Sequence, residues 1–542
     1  MSELYYNGTI LTMEDSCPEV EAVFVEHGKI AKRGTKEAVF SCKKQDTVLI
    51  DLQGKTMMPG FIDGHSHFAG FAASLSQCDL SEAEDFDDII NFMKAFIREN
   101  QIPEGDWVTG TNYDHNFLKE KRHPDKRILD QISDRHPIVI IHASSHMGVA
   151  NTKALEMQKL ETDTEDPAGG HYGRMGENGE LSGYMEENAF VSFRNQMPMP
   201  DIHELMQLFR KAQDVYAGYG ITTMQEGMVT EALFPILQYA ERNQVLYLDL
   251  AGYVDLENSA GLLRNNPQYG NQYRNHFKIG GYKIFLDGSP QGRTAWMKEP
   301  YENAEDGYCG YPIKTDDQLY RLIVTALEDG QQLLAHCNGD AAAEQYVTQF
   351  ERVMEDHPGY ETNRPVMIHA QLVQKEQLKR MKKLSMMPSF FVAHTYYWGD
   401  IHIQNFGMKR ASYISPAGTA IRLNLPFTFH QDSPVLLPDV FRTVWSAARR
   451  ITKEGVELAE EERVSVYDAL KANTVYAAWQ YGEEKEKGTI EEGKRADLIL
   501  LDKNPLECPI DDVKHIQVLE TIKDGRIVYK KAESSDTTDK EE

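Results

Sequence analysis

The chain has 542 residues, with 57 Lys plus Arg against 84 Asp plus Glu, giving a formal charge of −27. At 41% hydrophobic and 26% charged it is composed like a globular protein, with room for one large domain or several small ones. The negative charge repels phosphate backbones and anionic lipid, which excludes nucleic acid and membrane as partners, and no segment reaches the roughly 18 unbroken apolar residues of a membrane span.

Taken in chain order, the first residues, Met1 to Gly8, have no basic flank and no apolar run of signal-peptide length. The six cysteines are scattered without a C-x-x-C pair, so they read as reduced thiols and the expected location is the cytoplasm. Val23 to Gly34 alternates around a glycine turn and predicts a β-hairpin; Leu519 to Tyr529 does the same near the other end. With a strand at Ala496–Asp502, these suggest a small β domain assembled from both termini.

An apolar stretch from Thr56 to Ile62 then runs into Asp63-Gly64-His65-Ser66-His67. On extended backbone, side chains i and i+2 point the same way, so His65 and His67 can converge on one point. Two neutral imidazoles on one point suit a divalent transition metal. From His67 to Thr222 the chain is far longer than one crossover helix requires. It contains helical text (Asp87–Glu99, Leu205–Tyr219) and a turn-rich stretch from Asp166 to Gly183, and it predicts an inserted subdomain over the mouth of the main domain.

Strand-like runs follow at Thr222–Gln225, Tyr247–Tyr253, Gly281–Phe285, Leu333–His336, Pro365–His369, Met386–Phe391 and Phe427–Gln431. With Met57–Ile62 they make eight, the number that closes a parallel (β/α)₈ TIM barrel, whose chemistry sits at the C-terminal ends of the strands. Lys283 lies inside an apolar run, where a lysine is costly unless neutral or paired. His336, His369 and Asp432 close or follow three of the later strands, and His430 reads as a packed strand residue.

These motifs together resemble the amidohydrolase superfamily, and within it the amidohydrolase-3 branch, the YtcJ-like proteins that include N-substituted formamide deformylases. The resemblance rests on Pro59 to His67, on Lys283 to Ala295, on His336 with Gly339-Asp340, on His369-Ala370-Gln371, on Asp432-Ser433-Pro434 and on Gly488 to Leu498. It implies a metal-dependent-hydrolase barrel carrying a small β-sandwich from both chain ends. The implied boundaries are 1–56 and 485–531 for the sandwich, 57–484 for the barrel with an insertion at about 70–215, and a disordered tail at 532–542.

The resemblance also implies a ligand set. His65, His67 and Asp432 hold one divalent metal, zinc in the first instance, and His336 and His369 a second where two are present. Lys283, carboxylated on its amine, bridges them. Water on the metals loses a proton near neutral pH and attacks the scissile carbonyl, and Asp432 passes a proton to the leaving amine. The expected reaction is hydrolysis of a non-peptide C–N bond in a small amide, formamide or carbamate. His146, in the insert motif Ser144 to Leu155, and Arg293, Trp296 and His394, on loops after strands, are the expected substrate contacts. A homodimer is compatible with this reading. The rivals are an esterase or lactonase on the same metals and a non-catalytic binding protein that kept the shell. A deaminase is disfavoured because Cys337-Asn338-Gly339, not x-x-Glu, follows His336.

Overall fold

The computed structural model describes residues 2–532, except 116, 143–146, 168 and 198–200. Of the calls above, His146 and the tail from 533 onward lie outside the described residues. The chain divides into two compact units, one of residues 1–70 with 209–542 and the other of residues 71–208.

The first unit is built on a parallel sheet of eight strands: β1 (Phe61–Ile62), β2 (Ile221–Val229), β3 (Asp249–Asp255), β4 (Phe277–Phe285), β5 (Gln332–Cys337), β6 (Val366–His369), β7 (Met387–Phe390) and β8 (Thr428–Phe429). Each pairs with the next in chain order. The strands are buried along nearly their whole length, which is why they read as continuous apolar runs rather than alternating ones. Helices fill the crossovers. Asp316–Glu328, between β4 and β5, starts at Thr315, whose hydroxyl accepts from the Gln318 amide while the Gln318 side chain accepts from Thr315 N–H. This reciprocal cap is worth about 1 kcal/mol.

A second, mixed sheet joins the two ends of the chain. Its strands Ser2–Leu11, Glu19–Glu26, Lys29–Gly34, Thr47–Asp51 and Thr56–Pro59 come from the N-terminal side, and Leu498–Leu501, Val518–Lys523 and Arg526–Lys530 from the C-terminal side. Leu498–Leu501 pairs antiparallel with Thr56–Pro59 and stitches the halves together. The run Met57–Ile62 is therefore not one strand. It splits at Gly60, its first part entering the terminal sheet and only Phe61–Ile62 entering the parallel one. Two hairpins of the terminal sheet turn at His27-Gly28 and Asp524-Gly525, all four residues at positive φ, the two-residue turn that matches strand twist. The tips abut: a Cβ on Gly28 would lie 2.8 Å from the Asp524 carbonyl oxygen, so no larger residue fits.

The second unit has its own six-stranded sheet, in the order Gly170–Met175, Glu180–Glu187, Met147–Ala150, Ile138–His142, Val108–Tyr113, Gln77–Asp79. Helix Phe86–Glu99 starts on the Asp85 cap and buries Phe86, Ile89, Ile90 and Met93. These pack with Leu80, Val108, Leu129, Ile138 and Ile140 into a separate core. The turn-rich stretch around 166–183 forms a hairpin, its glycines supplying positive φ at positions 169, 176, 179 and 183.

Candidate metal centre at the strand ends

The site is built where the parallel strands finish. His65 and His67 lie just past β1, Lys283 near the C-terminal end of β4, His336 and His369 at the ends of β5 and β6, and Asp432 just past β8. The loop after β1 is fixed on both sides. His67 N–H donates to the Ser433 carbonyl at 2.8 Å, Gly227 N–H to the Ser66 carbonyl at 2.8 Å, and Ser66 Oγ to the Gln225 carbonyl at 3.0 Å. A side chain on Gly227 would strike the His65 ring, whose Cε1 lies 2.5 Å from the Cβ position.

The donors form a connected set. His65 Nε2 is 3.0 Å from Lys283 Nζ and 3.6 Å from Asp432 Oδ1. His67 Nε2 is also 3.6 Å from Asp432 Oδ1. His369 Nε2 is 3.9 Å from Asp432 Oδ2 and 3.1 Å from His336 Nδ1. His369 and Asp432 both have positive φ, 73° and 53°. That conformation costs roughly 1–3 kcal/mol per residue and collects at functional sites.

Hydrogen bonds settle which ring nitrogen of His65 is free to bind. Gln225 Nε2 donates to the Gly64 carbonyl and to Tyr481 Oη, so its Oε1 faces His65 Nδ1 at 2.5 Å and takes that proton. The Nε2 lone pair of His65 is left pointing at Lys283 and Asp432. His336 Nε2 lies 3.1 Å from Asn338 Nδ2 and 3.3 Å from the Gly288 carbonyl, and its Nδ1 faces His369. Such outer partners fix ring orientation in metal sites.

Burial sets the charges. It holds His65 and His369 well below the usual imidazole range and His336 at about 3, helped for His65 and His336 by the Lys283 ammonium. It lowers Lys283 to about 7 against the nearby carboxylates of Asp432 and Glu226. It also raises the Asp432 carboxyl, against His67 and Lys283. Neutral imidazoles, an amine that gives up its proton readily and one carboxylate form a donor set for a divalent transition metal. Among the described residues Asp432 Oδ1 is buried without a hydrogen-bond partner, and the ligand atoms of His65, His67 and Asp432 all lie within 4.8 Å of one another. The residues present fit a metal ion.

Two contributors escaped the sequence reading, and a third, His430, does more than it predicted. Glu226, buried at the end of β2, accepts from Ala69 N–H at 2.8 Å and lies 3.7 Å from His67 Nδ1. Gln225 orients His65. His430 is packed, as read, but it is also 3.1 Å from His369 Nδ1 and 2.9 Å from Ser389 Oγ. The available signal was polar residues, Gln225-Glu226 and His430-Gln431, in otherwise buried strand ends.

The expected substrate contacts are placed unequally. His394 is buried, 3.0 Å from His402 Nε2, with its ring against Trp398 and Phe391; Phe391 in turn packs on His430. Trp296 is half-buried, its backbone N–H donating to the Asp287 carboxylate at 3.0 Å. Asp287, pushed up to about 7 by burial, also accepts from Asn338 and Gly339 N–H, tying the loops after β4 and β5 together. Arg293 donates to the Glu302 carbonyl and stacks over Tyr301, bracing its own loop. Clefts of about 420 and 590 Å³ lie beside Lys514 and beside Tyr476, and neither is lined by a residue of the centre.

Comparison with known proteins agrees with this geometry. Residues 48–529 match the profile of the Amidohydrolase family. The chain is 26% identical to an N-substituted formamide deformylase of Arthrobacter pascens, over 97% of this chain and 98% of that protein. It is 27% identical to YtcJ of Bacillus subtilis (strain 168), named as an amidohydrolase, over 98% and 100%. The crystal structure of an uncharacterized metal-dependent hydrolase from Pyrococcus horikoshii OT3 superposes with a TM-score of 0.76 at 25% identity, covering 94% of this chain and 99% of that one. The chain belongs to the amidohydrolase family and is a metal-dependent hydrolase of carbon–nitrogen bonds.

Proposed function

We propose that the strand-end residues hold zinc and hydrolyse a small N-substituted amide of the formamide or carbamate kind. The observation that carries this reading is the unbroken run of donors from His336 through His369, Asp432 and His65 to Lys283, with no step longer than 3.9 Å. Likeness to the Arthrobacter pascens deformylase supports the formamide class. So do the rings of Phe285, against His336, and Phe391, against His394 and His430, which suit a substrate with an apolar portion.

His65, His67 and Asp432 would hold one ion and His336 and His369 a second, and Lys283, as a carbamate, would offer a further carboxylate to them. To form it, the Lys283 amine lone pair bonds to the carbon of carbon dioxide, one C=O becomes C–O⁻, and the amine proton leaves to solvent. Its depressed pKa of about 7 supplies the unprotonated amine. When bound, the metal lowers the pKa of water and polarises the scissile carbonyl. Asp432 takes a proton from the attacking water and delivers it to the departing amine. Gln225 holds His65 in one tautomer, His394 and Trp296 border the substrate, and Arg293 braces the loop carrying Trp296.

The same reading extends to the frame. Asn473 accepts from Ile62 N–H at 2.8 Å and donates to the Phe429 carbonyl at 3.0 Å, and Gln480 likewise spans Gly64 and Thr428. These links between the first and last strands support closure of the parallel sheet into a (β/α)₈ barrel, with the terminal sheet and residues 71–208 as attachments. The six free cysteines support a reducing compartment, the cytoplasm. The test is hydrolysis of N-substituted formamides by protein as purified, after chelation and after zinc is returned. Loss and recovery of turnover is the expected result; undiminished hydrolysis by metal-free protein would overturn the reading.

A further inference from the structure

The second unit contains another cluster of metal-competent side chains. The parallel strands Val108–Tyr113 and Ile138–His142 end in register, Tyr113 opposite His142. Asp114, His115 and His142 therefore leave from one edge of that sheet. The register shifts between Gly110 and Tyr113, and Asn112 has φ 67°, an irregularity of the kind that re-aims side chains at a strand end.

The ligand atoms close a triangle. His115 Nδ1 is 3.2 Å from His142 Nε2, His142 Nε2 is 3.4 Å from Asp114 Oδ1, and Asp114 Oδ1 is 3.8 Å from His115 Nδ1. A tetrahedral zinc ion with bonds of about 2.0–2.1 Å holds its ligands on edges of roughly 3.3–3.4 Å, close to these lengths.

The surroundings hold the rings in place. His123 stacks on His115 at 3.9 Å between centroids and on Tyr184 at 4.6 Å, and Tyr113 Oη lies 3.1 Å from His123 Nδ1. The edge of the His142 ring meets Tyr113 at 5.3 Å.

We propose that Asp114, His115 and His142 form a second metal site, distinct from the strand-end centre, that binds one divalent transition metal of the zinc class. Two imidazoles and a carboxylate leave at least one coordination position for water or a ligand oxygen. This site lies wholly within residues 71–208 and does not depend on the assignment of the strand-end centre.

The test counts metal in the full-length chain. A variant carrying His65→Ala, His67→Ala, His336→Ala, His369→Ala and Asp432→Ala disables both halves of the strand-end centre. After dialysis against zinc it should retain about one equivalent, and adding His142→Gln should reduce that at least tenfold. Cobalt(II) in place of zinc should give a visible d–d spectrum that the added substitution abolishes. The wild-type background provides a second measurement should the combined variant fail to fold. There Asp114→Asn, nearly isosteric, should lower total zinc by one equivalent with circular dichroism unchanged. No zinc on the folded strand-end variant, or a count that neither His142→Gln nor Asp114→Asn alters, overturns the proposal.

Discussion

The two ends of the parallel sheet treat buried charge in opposite ways. At the N-terminal ends of β2 to β4, Asp249 meets Lys487 at 2.7 Å and Lys523 at 2.6 Å. Lys523 also meets Asp497 at 2.7 Å, Lys487 meets Glu483 at 2.6 Å, and Glu483 pairs with Lys278. At the C-terminal ends, Lys283 is equally buried, but its nearest polar neighbour is a histidine nitrogen. The same residue type responds accordingly. Against its burial, Asp249 and Asp497 hold Lys523 above the usual lysine range, whereas burial takes Lys283 down to about 7. Asp249 is driven down by its lysines and Asp432 up by its burial. Charges matched at one end fix the fold, and charges left unmatched at the other are available for chemistry.

The largest effect expected from this contrast is at Asp432. Asp432→Asn keeps the shape and removes the proton acceptor, so kcat should fall on the order of 10²–10⁴-fold while fold and much of the metal remain. Near-normal kcat, measured with thermal stability and metal content, removes Asp432 from the mechanism.

The lysines give the sharpest form of the comparison. In metal-stripped protein, Lys523→Met leaves two buried carboxylates short of a partner and should cost about 3–5 kcal/mol. Lys283→Met removes an amine whose burial is uncompensated and should change stability by less than about 1 kcal/mol, while abolishing activity and lowering metal occupancy. Urea unfolding of both variants decides this; equal losses would erase the distinction between the two ends.

These contrasts also show what was legible in the sequence. His-x-His after an apolar run, a lysine inside one and histidines closing others were visible because strand ends and site coincide. All eight runs enter the parallel sheet, several shorter or longer than read. The division of Met57–Ile62 was not visible, since both halves are apolar and only pairing with Leu498–Leu501 separates them. Nor was the ion network, because Asp249 and Lys523 are 274 residues apart in the chain. Gln225 and Glu226 were overlooked because a single polar residue in a strand carries no spacing signal, and their roles, like the contacts of His430, follow from hydrogen bonds that only the fold creates.

A smaller effect is expected at Gln225. Gln225→Leu frees the His65 ring and should weaken metal binding by roughly 10–100-fold, the range for outer partners of metal ligands; competition with a chromophoric chelator measures it. Smaller still is a pH effect at the matched end. Burial pushes the Glu483 carboxyl up, but Lys487 and Lys278 override it and hold it at about 2. Its folded value lies below the unfolded one, about 4.3, so its stabilisation is complete above that pH and is lost as pH falls toward 2. Thermal melts across that window should show an acid limb that Glu483→Gln flattens; an unchanged limb would assign acid sensitivity elsewhere.

The account rests on a metal at the unmatched end, and anomalous scattering at the zinc edge from crystals of the zinc-loaded protein tests it most directly. The predicted result is a peak within about 2.0–2.2 Å of His65, His67 and Asp432, with additional density on Lys283 Nζ. A zinc-loaded crystal with no peak among these residues, or with Lys283 several ångströms from any ion, would contradict it.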